Sequence, residues 1–101
     1  MADTIPVELL SWVNKLAGGT GTGQRILEAP WTPRSTVREV LRSVSERFPE
    51  LHAALWNGGE LGEHIEVLVN DAVLGVEHTL DSTLSSGDRI ALVGQYMGGS
   101  A

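Results

Sequence analysis

The chain contains no cysteine. That absence excludes disulfides, thiolate metal sites and cysteine nucleophiles, so any sulfur chemistry has to use sulfur brought from elsewhere. Basic residues are scarce too: 7 Lys and Arg stand against 13 Asp and Glu, a formal charge of −6. Phosphate binding draws on clustered cations, so nucleic acid is excluded as the main partner and a neutral or basic protein surface is favoured. Arg34, Arg38, Arg42 and Arg47 recur near helical spacing and are read as the wet side of a helix, with no ligand assigned. No apolar run approaches the roughly 18 residues of a membrane helix. The start Met1-Ala2-Asp3-Thr4 lacks a basic region followed by an apolar stretch, so no membrane partner is expected and the cytoplasm is the default location.

What is present is an ordinary globular composition, 42% hydrophobic and 20% charged over 101 residues. A chain of this size has room for one domain and buries only roughly 60–70% of its unfolded surface, which leaves little space for an elaborate internal active site. Ile5 to Leu16 reads as a strand and breaks at the glycine-rich run Ala17 to Gly23. Gln24 to Glu28 resumes an extended pattern, so the two segments are predicted to form a hairpin. After Pro30-Trp31-Thr32-Pro33, Thr36 and Glu39 fit a capping box. Val37, Val40, Leu41, Val44 and Phe48 then mark the buried face of a helix over about Thr36 to Phe48. Pro49 stops it and begins a short second turn through Leu51, Ala54 and Leu55, before a turn at Asn57-Gly58-Gly59.

His64 to Asn70 alternates as a half-buried strand, with Ile65, Val67 and Val69 on one side and Leu68 on the other. Asp71-Ala72 is a turn, Val73 to Val76 a short strand and Arg89 to Val93 a final strand, with Ile90 and Leu92 inward and Ala91 and Val93 outward. Two strands, one main helix and a returning set of strands predict an α+β fold: a mixed sheet with the helix packed on one face. The domain is expected over 1–94, with 95–101 a flexible tail.

Several patterns that resemble chemical motifs lack the necessary context. Gly19, Gly21 and Gly23 are followed by a strand rather than a helix, so no phosphate cradle is expected. His52, His64 and His78 lack metal-ligand spacing. Nothing around Glu60, Glu63 and Glu66 supplies the apolar pocket that would raise a carboxyl for acid catalysis. Ser85-Ser86-Gly87 is a turn rather than a nucleophile elbow.

The C-terminus stands apart. A strong strand runs into Gly94-Gln95-Tyr96-Met97-Gly98-Gly99 and the sequence stops two residues later. Two adjacent glycines carry no side chains, so such a tail can thread a narrow channel and present a carboxyl group to a nucleotide. Residues Ile65 to Gly99 carry Val69-Asn70, Val73 to Val76, Leu84, Gly87-Asp88, Ile90 to Val93 and Gly98-Gly99. In that order they resemble the C-terminal half of the ThiS and MoaD sulfur-carrier proteins.

The resemblance implies a β-grasp, ubiquitin-like fold and a carrier cycle rather than an enzyme. An E1-like enzyme using ATP and magnesium adenylates the terminal glycine, a sulfur donor converts it to a thiocarboxylate, and a client biosynthetic enzyme takes the sulfur. Gly99 would carry the sulfur, and Gly98 with Met97 would thread the channel. The clients in view are biosynthesis of cysteine, thiamine, a molybdenum cofactor or a secondary metabolite. The carrier itself would bind no cofactor and no metal.

Two departures qualify the match. The Gly99 carbonyl is in an amide to Ser100, and an amide cannot be adenylated as a carboxylate. Some sulfur carriers likewise bear residues after the glycines, and the resemblance to them implies that Ser100-Ala101 is a pro-tail removed by a JAMM-type metalloprotease. The stretch Gly94 to Met97 also lacks the prolines that MoaD-like members tend to carry. Leu68, Ala91 and Val93 are candidates for an apolar partner-binding patch beside the tail. A ubiquitin-like modifier, the small subunit of a sulfur-transferring synthase and a plain interaction domain stay open as other readings.

Overall fold

Thr4–Leu10 (β1) alternates apolar and mixed positions, and Ile5, Val7 and Leu9 are wholly buried while Pro6, Glu8 and Leu10 face the opposite side. In the computed structural model, which describes residues 3–19 and 24–95, β1 pairs antiparallel with Gln24–Pro30 (β2). The expected strand from Ile5 to Leu16 ends early. At Ser11 the chain turns with φ +63° and Ser11–Ala17 forms a 3₁₀ helix. The apolar spacing explains the change: Ile5, Val7 and Leu9 recur every second residue, whereas Val13 and Ala17, both buried, lie four apart.

Val37–Ser45 (α1) is capped as expected, with Thr36 and Glu39 forming a reciprocal capping box. The first-turn amides that a helix leaves unpaired are also satisfied from a distant segment. Val37 N–H donates to Ser82 O at 3.0 Å and Arg38 N–H to Leu80 O at 2.8 Å. Val37, Val40, Leu41 and Val44 are buried. The helix stops before the expected Phe48, because Pro49 disfavours helical backbone at the residue preceding it, and Phe48 is extended at φ −136°, ψ 102°. Phe48 is half-buried against the core and precedes a full second helix, Pro49–Leu55 (α2), where only a short turn was anticipated. The expected turn at Asn57-Gly58-Gly59 is the tip of a small hairpin, Trp56–Asn57 (β3) with Glu60–Leu61 (β4).

Ile65–Val69 (β5), Ala72–Val73 (β6) and Ile90–Gly94 (β7) complete a five-stranded sheet in the order β2-β1-β7-β5-β6. The short strand predicted over Val73 to Val76 is confined to Ala72–Val73, since Gly75 takes φ +106° and Val76 N–H turns back to Val73 O. The β1–β7 pair is parallel and the other pairs are antiparallel. One face of this sheet meets α1, and Ile65, Val67, Ile90 and Leu92 join Leu41, Leu51 and Leu55 in one buried cluster. This is the mixed sheet with a packed helix of the β-grasp, ubiquitin-like fold.

Candidate functional site

β7 lies at the centre of the sheet, between β1 and β5, and is followed in sequence by the segment that carries the glycine pair. The proposed sulfur-bearing Gly99, the threading residues Gly98 and Met97, and the pro-tail Ser100-Ala101 fall outside the described residues. The root of that segment is well defined. The pairing of β5 with β7 ends at Ile65 opposite Gly94, and one residue further Gln95 N–H donates to His64 O at 2.8 Å. On the other side the Trp12 indole Nε1–H donates to Gln95 O at 3.1 Å.

The face of the sheet turned away from α1 lies directly beside this root. Leu68, Ala91 and Val93, the sequence-derived candidates for a partner surface, are each half-buried on that face and adjacent there: Leu68 is opposite Ala91, and Val93 is opposite Glu66. Strand register extends the patch to residues that sequence reading missed. One row runs Ile26, Glu8, Ala91, Leu68, Val73, and a second runs Gln24, Leu10, Val93, Glu66. Ile26 is 48% exposed and Val73 42%. The charged strand residues on this face are Glu8, Glu28 and Glu66, with no cation among them. Alternation within Thr4–Leu10 carried the signal for Glu8 and Leu10, but taking Ile5 to Leu16 as one strand obscured it.

The residues behind the family resemblance sit at the opposite end of β7. Asn70 and Asp71, with φ +52° and +71°, make the turn between β5 and β6. Asn70 Nδ2 donates to Asp88 Oδ1 at 2.9 Å, and Asp88 Oδ2 accepts from Ser85 N–H at 2.7 Å. Arg89 forms an ion pair with Asp71. Burial pushes the Asp88 carboxyl upward, but the Ser85 amide, the Asn70 side chain and the nearby charge of His78 together outweigh it, so its pKa falls below the ordinary 3.8. Leu84 is buried in the core. These residues fix how the chain enters β7, and so which of its side chains reach the outer face.

Three of the four arginines of the helix region are engaged within the fold. Arg38 pairs with Asp81 at 3.1 Å and donates to Gly59 O at 2.6 Å, Arg47 donates to Glu28 O at 2.8 Å, and the Arg42 guanidinium lies 5.1 Å from the Trp56 ring centre. His64 and Glu63 help line a cavity of about 270 Å³ with Ala53, Ala54, Trp56, Asn57 and Gly62. Among the described residues no group of three or more His, Asp or Glu is placed to hold a metal ion, and no helix is long and apolar enough to cross a membrane.

Comparison with known proteins places these features in context. Residues 14–99 match the ThiS family. No curated protein matches the chain by sequence. Among solved structures, SAMP1 from Haloferax volcanii is 25% identical with a TM-score of 0.75, the alignment covering 95% of this chain and 99% of that one. Urm1 from Trypanosoma brucei shares the fold at 22% identity and TM-score 0.72, with 97% of each chain covered. A chain of the Amycolatopsis orientalis BexX/CysO complex shares it at 24% identity and TM-score 0.69, covering 92% of this chain and 99% of that one.

Proposed function

We propose that this chain, which belongs to the ThiS family, is a sulfur carrier whose working group is the carboxylate of Gly99 after removal of Ser100-Ala101. The observation that carries this reading is the family match, which extends through the glycine pair and stops at Gly99. In the proposed cycle a JAMM-type metalloprotease hydrolyses the Gly99–Ser100 amide. An E1-like partner supplies ATP and magnesium, and a Gly99 carboxylate oxygen attacks the α-phosphorus, releasing pyrophosphate and leaving an acyl-adenylate. A sulfur nucleophile from a donor then displaces AMP, and the resulting thiocarboxylate passes its sulfur to a client biosynthetic enzyme. The chain acts as a co-substrate, with no catalytic residue of its own.

Two glycines offer little contact area, and specific recognition takes roughly 800 Å² per partner. The outer sheet face beside the tail root supplies it. Leu68, Ala91 and Val93 form its apolar centre, and Glu8 and Glu66 call for a basic rim on the adenylating partner.

Pyrophosphate exchange with ATP tests the chemistry. The chain ending at Gly99 is expected to support exchange by the adenylating enzyme, and the chain ending at Ala101 to be inert. Equal activity of the two would remove the pro-tail from the mechanism. Intact mass of the Gly99-ended chain after incubation with cell extract, ATP and sulfide should show replacement of one oxygen by sulfur. A second reading, a ubiquitin-like protein modifier, is favoured by the likeness to a protein described as small archaeal modifier protein 1. It shares the activation step and differs in outcome, giving covalent conjugates through lysine in place of a thiocarboxylate.

A further inference from the structure

The root of the tail is built more firmly than the end of a strand requires, and its pieces come from opposite ends of the chain. The final parallel pairing of β1 with β7 is Leu10 with Val93. Immediately afterwards Ser11 takes the left-handed φ of +63°, a conformation that side chains with a Cβ rarely adopt. The turn lays Trp12 across the end of β7. A Cβ added to Gly94 would lie 2.4 Å from Trp12 Cε2 and 2.5 Å from Nε1, so the indole occupies the space that any other residue at 94 would need. From that position its N–H reaches Gln95 O, 83 residues along the chain.

We propose that Trp12 is a positioning residue that fixes the direction in which the reactive tail leaves the sheet. The Gln95 carbonyl belongs to the peptide plane linking Gln95 to Tyr96, the first link beyond the sheet ladder. Trp12 holds that plane from the β1 side, while His64 O holds the Gln95 amide from the β5 side. Gly99 lies four residues further on, a reach of roughly 14 Å when extended. With the tail held extended in the adenylating partner's channel, a rotation at the root becomes over that distance a displacement of several ångström at the carboxylate. Holding a reacting group in place belongs to turnover and not to binding, and a misplacement near 1 Å can cost about a hundredfold in rate. The proposal rests on the carrier reading above and assigns the Gly94–Trp12 contact a purpose within it.

Trp12→Phe retains a ring against Gly94 and removes the donor. In the chain ending at Gly99, pyrophosphate exchange with the adenylating enzyme should show about a tenfold lower kcat for this variant at an unchanged KM for the carrier. A merely less stable carrier lowers the folded concentration, which raises the apparent KM and spares kcat. Hydrogen exchange at the Trp12 indole N–H, followed by NMR on the full 101-residue chain, supplies an independent arm. Protection of that proton, lost in Gly94→Ala, is expected. Exchange at the rate of a free indole, or a Trp12→Phe variant with the parent's kcat, overturns the proposal. If the Gly99-ended parent is not adenylated at all, the carrier reading fails, and the clamp is then decided by the indole proton alone.

Discussion

Asn70 and Arg89 are joined twice across the end of the sheet. Asn70 N–H donates to Arg89 O at 3.0 Å, and Asn70 Oδ1 accepts from Arg89 N–H at 3.0 Å. The side chain thereby continues the ladder between β5 and β7 by one step, on a residue whose φ of +52° suits Asn better than most. Asn70→Ala loses both side-chain hydrogen bonds and keeps an unfavourable backbone, so it is expected to destabilise the domain by about 1–3 kcal/mol. Asn70→Gly relieves the backbone and should recover part of that loss. Urea midpoints at constant m-value measure both, and an Asn70→Ala midpoint equal to the parent's would refute this account of the motif.

Asp88 makes stability depend on pH in a definite direction. Its folded pKa lies below its ordinary value of 3.8, so the unfolded chain takes up its proton first as pH falls. The contribution is fully present above that value and disappears as pH drops through the folded pKa. Asp88→Asn should therefore flatten the stability profile in that acid window and lower stability at neutral pH. Parallel acid titrations of the two proteins provide the comparison, and coincident slopes below pH 3.8 would count against it.

Ser45 is fully buried and its hydroxyl joins two groups. Its Oγ accepts from the Trp56 indole N–H at 3.0 Å and donates to Arg42 O at 3.3 Å. Ser45→Ala leaves the largely buried indole N–H unpaired, and the expected loss is about 1–3 kcal/mol. Thermal unfolding of the variant reads it directly. No change in midpoint would mean that water replaces the hydroxyl.

Leu41 is 0% exposed beneath the sheet, so Leu41→Asp places a charge in the core with an expected cost of several kcal/mol. Circular dichroism should show a chain largely unfolded at temperatures where the parent is intact.

The outer face separates binding from folding. Leu68→Asp and Val93→Asp alter half-buried positions outside the core cluster, so each is expected to preserve the fold while weakening the adenylating partner by about 1–3 kcal/mol. Glu8→Lys with Glu66→Lys should chiefly slow association and steepen no contact in the core. Calorimetric titration of Gly99-ended variants would expose an irrelevant patch through unchanged affinity in a folded Leu68→Asp, Val93→Asp double variant.

Sequence by itself determined the elements whose signals are local or periodic. The Thr36–Glu39 cap, the buried Val37, Val40, Leu41 and Val44, and the alternation in β5 and β7 follow from side-chain spacing, because 3.6-residue and 2-residue periods select which face is buried. The order of Val69-Asn70, Leu84 and Gly87-Asp88 was enough to indicate the family, since those residues make a turn and a core contact that the fold needs. Tertiary structure decided what depends on register and on contacts between distant segments. The row from Ile26 to Val73 exists only because five strands align across it, and no single segment contains that alignment. Trp12 read locally is one more apolar residue in a long strand. Its place against Gly94 and Gln95 comes from the left-handed turn at Ser11 and the parallel pairing of β1 with β7, a long-range arrangement that local propensity does not encode.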